Sequence, residues 1–151
     1  MIALVPVLLL SAIWDIARKE IPNALVASGI LVALTINAQA GWSDFLYSLI
    51  GGVVGLAVLV PLYLKGLVGA GDCKLLCMIG VIVGFPHVII ASLIGMGVGT
   101  MCLTIIMAGK YGTRFGGRVP YAPFLVSGAL IAMSFGQTIL DTWLGSVQRL
   151  F

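Results

Sequence analysis

FLYSLIGGVVGLAVLVPLYL, residues Phe45 to Leu64, is a stretch of twenty residues without one charged side chain. An α-helix rises about 1.5 Å per residue, so this stretch matches the roughly 30 Å of a bilayer's hydrocarbon core. A membrane-spanning strand would be about half as long and would alternate polar with apolar residues. The stretch therefore reads as a transmembrane helix, and the rest of the chain repeats the pattern. A first apolar run covers Met1 to about Ala17 and stops at Arg18-Lys19-Glu20. It lacks a basic leader and a small-residue cleavage site, so it reads as a span, not a removable signal. A second run, about Ala24 to Ala40, ends at Gly41-Trp42-Ser43-Asp44. A short fourth run covers Leu75 to Phe85, a fifth about Val88 to Ala108, and a sixth about Tyr121 to Phe135.

Composition agrees with this pattern. Hydrophobic residues make up 61% of the 151 residues and charged residues 9%, against roughly 25% charged in a soluble domain. Most of the chain must face lipid. The expectation is a single all-α domain over residues 1–151: a polytopic membrane bundle of about six transmembrane helices plus a C-terminal amphipathic interfacial helix. That last helix is read from Ile139, Leu140, Trp143, Leu144, Val147, Leu150 and Phe151, which recur at helical spacing opposite Asp141, Thr142, Ser146, Gln148 and Arg149. Paired glycines at small-xxx-small spacing, Gly51 with Gly55 and Gly95 with Gly99, predict close helix contacts.

Charge sets the orientation. With six spans, Arg18, Lys19, Lys65, Lys74, Lys110, Arg114 and Arg118 fall on one side and only Arg149 on the other. The positive-inside rule makes that side cytoplasmic and leaves both termini outside. The net charge of +3 is spread along the chain and forms no stripe suited to nucleic acid. Cys73 and Cys77 are four apart with no second Cys/His pair, so neither a structural metal nor a cofactor is expected.

Two of the five acids stand apart. Asp15 lies just inside the cytoplasmic end of the first helix, and Asp72 opens the fourth helix at the same end, after Gly66, Gly69 and Gly71. A carboxylate facing lipid there is unfavourable, so both should turn inward. Two carboxylates in one wet pocket cannot readily both ionise, and they hold a single proton between them. That state activates water: one carboxylate takes its proton while the protonated partner polarises a carbonyl. Glycines before Asp72 would let an extended substrate strand approach the backbone. Other readings stay open on the residues alone. Asp72 could simply cap a helix and Asp15 pair with Arg18 or Lys19, or the two acids could serve a small proton- or cation-coupled transporter component.

The residues around these acids carry a resemblance. Gly69-Ala70-Gly71-Asp72-Cys73-Lys74-Leu75-Leu76 resembles the Gly-x-Gly-Asp motif of the type IV prepilin peptidases, which is usually followed by a residue, Lys and Leu-Leu. Asp15-Ile16-Ala17-Arg18-Lys19-Glu20-Ile21-Pro22-Asn23 resembles the segment bearing that family's first catalytic aspartate. Arg118-Val119-Pro120-Tyr121-Ala122-Pro123-Phe124-Leu125 looks like the opening of its last conserved helix. The resemblance implies an intramembrane aspartic endopeptidase that removes the leader from prepilin-like precursors at the cytoplasmic face. It carries over Asp15 and Asp72 as the catalytic pair, Gly69 and Gly71 as groove-shaping glycines, and Lys74 as a substrate-binding or orienting charge. Longer family members carry an insertion with paired CxxC motifs, and many methylate the new amino terminus. This chain has no CxxC and looks more like the short peptidases of Flp (tad-type) pilus systems; an archaeal preflagellin peptidase shares the two-aspartate design. A non-catalytic membrane subunit of a pilus assembly machine is the remaining alternative, and it would tolerate loss of both acids.

Overall fold

The computed structural model describes residues 4–18, 21–66, 68–108 and 122–148, without the side chains of 103–108 and 143–148. These residues form six helices: α1 (Val5–Arg18), α2 (Asn23–Ala40), α3 (Trp42–Leu64), α4 (Ala70–Val83), α5 (His87–Ala108) and α6 (Ala122–Gln148). The all-helical expectation holds. By length and composition α2, α3 and the Ala122–Thr142 part of α6 can cross a membrane, whereas α1, α4 and the apolar stretch His87–Cys102 of α5 are shorter.

Proline decides the first corner. A residue before proline avoids helical backbone angles, so Ile21 cannot extend α1. Pro22 then caps α2, its carbonyl accepting from Leu25 and Val26 at 3.0 and 3.3 Å. The tail expected as an amphipathic helix is helical, and it continues α6 to Gln148 without a break. Arg149, Leu150 and Phe151, with the side chains of Trp143, Leu144 and Val147, lie outside the described residues, as do Lys19, Glu20, Lys110, Arg114, Arg118 and Pro120.

The short fourth helix is the centre of the bundle. α4 packs against α2, α3, α5 and α6, and Leu75, Leu76, Met78, Ile79 and Ile82 are completely buried. At about 1.5 Å per residue, its 14 residues span only about 21 Å. Because protein shields it on most sides, it does not need the apolar length of a lipid-facing span. The described interior is correspondingly apolar: its buried polar side chains are Ser11, Asp15, Ser48 and Ser92.

Glycine makes this packing close. A Cβ at Gly51 of α3 would run into the carbonyl oxygen of Gly80 in α4, and one at Gly80 into that of Gly51. The Gly52–Val81 and Gly55–Leu76 contacts continue the same antiparallel register. On the other side Gly95 of α5 lies over Leu125 of α6, and Gly128 over Ala91. The predicted role of Gly51, Gly55 and Gly95 as contact glycines is borne out. Gly80 and Gly128 are the partners that made those contacts possible.

The chain weaves between two ends. At one lie the end of α1, the start of α2, the end of α3 and the start of α4, with the start of α6 joined to them. At the other, the turn after α4 is held by the Phe85 amide donating to the Tyr47 carbonyl at 3.0 Å, and the His87 ring faces Gly136.

Candidate active site

The first of these ends gathers the residues singled out in the sequence. Gly69 is extended backbone (φ −78°, ψ 154°) and caps α4. Its carbonyl accepts from the amides of Asp72 and Cys73 at 3.2 and 3.4 Å. In return the Gly69 amide donates to Oδ2 of Asp72 at 3.2 Å. This is the carboxylate half of a capping box, and it holds Asp72 in the first turn, where the helix dipole favours negative charge. The alternative reading of Asp72 as a helix cap is met in part: Gly69 is the N-cap residue, and Asp72 caps from the third helical position. That bond occupies one oxygen and is compatible with chemistry at the other.

Both glycines have local reasons. A Cβ at Gly69 would stand 3.2 Å from Oδ2 of Asp72, crowding the carboxylate. At Gly71 it would meet Ile21 at 3.9 Å, an ordinary contact. Gly71 thus lies beneath the α1–α2 corner, whose Ile21 is itself buried.

Lys74 reaches the same corner. Its Nζ donates to Oδ1 of Asn23 at 2.9 Å, so the charge expected to bind substrate or orient Asp72 is joined to the first residue of α2. Asn23 was noted in the sequence only as part of a motif. A polar partner fifty-one positions away leaves no mark on local spacing.

Asp15 is held from a third direction. It lies three residues before the end of α1 and is 6% exposed. Its Oδ2 accepts the backbone amide of Ala122, the first residue of α6, at 3.2 Å. Leu8, Ala12 and Asp15 share the buried face of α1, and that helix packs on α6. The inward orientation expected for Asp15 is what the helix adopts. Just beyond it, the Arg18 guanidinium sits 5.1 Å from the centre of the Trp14 ring, a cation–π contact.

The three motif segments therefore meet at one end of the bundle. Ile21 lies where a Cβ on Gly71 would meet it, Lys74 bonds Asn23, and Asp15 bonds Ala122. His87 sits at the opposite end, beside Gly136, and takes no part. Among the described residues no group of three His, Cys, Asp or Glu side chains is placed to hold a metal.

Comparison with known proteins gives the chain a family. The model of the type IV leader peptidase family matches residues 2–112. A prepilin leader peptidase/N-methyltransferase of Stutzerimonas stutzeri is 27% identical over 148 residues, covering 91% of this chain and 50% of its own length. One from Bacillus subtilis (strain 168) is 24% identical over 147 residues, covering 95% of this chain and 58% of its own. The chain thus spans about half the length of the curated relatives it matches. No solved structure matches it. The chain belongs to the type IV leader peptidase family.

Proposed function

We propose that this member of the type IV leader peptidase family is an aspartic endopeptidase, with Asp15 and Asp72 as its catalytic pair. Its substrates are prepilin-like precursors of the Flp type, cut at the cytoplasmic face of the membrane. The gathering of three separate motif segments at one end of the bundle is the observation that supports this reading most. Two of those segments carry the acids, and both acids accept a backbone amide there.

The reaction follows from a pair sharing one proton. The ionised carboxylate takes a proton from water as the water oxygen bonds to the scissile carbonyl carbon. The protonated partner donates to the carbonyl oxygen, giving a tetrahedral diol. On collapse the C–N bond breaks and the leaving nitrogen takes a proton. The products are a leader ending in a carboxylate and a mature chain with a new amino terminus. Water consumed balances the bond broken, and the pair returns to one proton. No methyl donor enters this scheme.

Purified protein in detergent, incubated with a prepilin and read by mass spectrometry of the cut site, tests the proposal. Asp15→Asn and Asp72→Asn should each abolish cleavage while the protein still inserts and folds. Normal processing by either variant would refute the assignment of the pair.

A further inference from the structure

Asp15 and Ala122 come from opposite ends of the chain, 107 positions apart. Four features of their contact point beyond packing. Ala122 is the first residue of α6, so its amide has no acceptor within its own helix. It is completely buried, so water does not satisfy that amide. The acceptor it finds is the one buried carboxylate among the described residues. Finally, Pro123 follows directly and has no amide to offer, so Ala122 is the first amide donor of α6 and the next one lies two positions on, at Phe124.

We infer that the backbone amide of Ala122 is a positioning group for Asp15, and that the start of α6 serves the reaction by aiming this carboxylate. An aspartate at the end of a short helix can adopt several rotamers. A donor fixed by a second helix selects one of them and engages Oδ2, leaving the other oxygen to face water or the scissile carbonyl. The N-terminal end of α6 adds a favourable field for that carboxylate. The third motif then contributes to hydrolysis without supplying a reactive side chain. This role rests on the proposed catalytic part of Asp15 and concerns how that residue is held.

The direct test removes the donor and little else. Ala122 is replaced by lactic acid through suppression with an α-hydroxy acid, which turns the amide N–H into an ester oxygen. A hydrogen bond to a charged group, converted to a rate, corresponds to a fall in kcat of about ten- to a hundredfold. The melting temperature should fall, since a buried carboxylate loses a donor, but KM for the prepilin should stay within about twofold while kcat per folded molecule drops, a split that general destabilisation would not produce. Wild-type kcat in the ester protein, with Asp15→Asn inactive, overturns the inference and leaves the catalytic reading intact. An active Asp15→Asn protein overturns the reading beneath it. Should the ester protein not fold, selective ¹⁵N-alanine labelling of the unmodified backbone decides. The Ala122 amide proton should move upfield and exchange faster in Asp15→Leu than in the wild type; an unchanged resonance rejects the bond.

Discussion

Nζ of Lys74 donates to Oδ1 of Asn23 over 2.9 Å, fastening the second turn of α4 to the first residue of α2. Both side chains are exposed, so the bond competes with water and its worth lies near the low end for a hydrogen bond. Its position matters more than its strength. It closes the corner where Ile21 covers Gly71, one residue from Asp72.

That bond is open to a double-mutant cycle. Lys74→Met and Asn23→Ala should each destabilise slightly, and the double variant should lose less than their sum, with a coupling of about 0.5–1 kcal/mol. Unfolding in mixed micelles measures it. Strict additivity would mean that the pair carries no energy.

Asp72 both caps a helix and, on the reading above, reacts. The two roles separate by substitution. Asp72→Asn keeps an oxygen for the Gly69 amide, so stability should hold while cleavage disappears. Asp72→Ala removes the acceptor and should also cost about 0.5–2 kcal/mol. Equal melting temperatures for the two variants would argue against the cap.

Glycine at position 80 leaves no room for a methyl group against Gly51. Gly80→Ala should therefore destabilise by about 1–3 kcal/mol or more. At Gly97 a Cβ meets nothing within 4 Å, and Gly97→Ala in the same bundle should be neutral or stabilise by up to about 1 kcal/mol. Thermal unfolding of the two proteins side by side checks the contrast.

Far from the acids, the Asn37 side-chain amide donates to Ser48 Oγ and, at 3.4 Å, to the Val81 carbonyl. Ser48 is buried. Asn37→Leu should strand it and cost about 1–3 kcal/mol, while Asn37→Leu with Ser48→Ala should recover much of that loss. Cleavage per folded molecule should be unchanged in both, because the cluster lies at the other end of the bundle. A drop in kcat for the folded protein would tie this cluster to the reaction.

Legibility followed the range of the interaction. Phe45 to Leu64 declared itself a helix because apolar length is a property of consecutive residues. Asp15 and Asp72 stood out because charge is rare in such a chain, and Gly51 and Gly55 because contact spacing repeats every turn. Ala122 stood in the third motif, but the role of its amide was invisible, since every residue but proline has one and only a neighbour shows that it is needed. The depth of α4 was half legible: a run of about eleven apolar residues is too short for lipid and so allows shielding by protein, but only docking shows that four other helices supply it.

What the sequence by itself determined, then, was an all-helical chain built for lipid, its glycine contact faces, and which carboxylates have no business facing a membrane. Tertiary structure alone decided that α4 sits at the centre, that Lys74 meets Asn23, and that the start of α6 is turned onto Asp15. Helix formation and partition into lipid depend on residues within a few turns of one another. The partners of a buried polar group depend on how whole helices dock, and that is settled by the fit of many side chains at once.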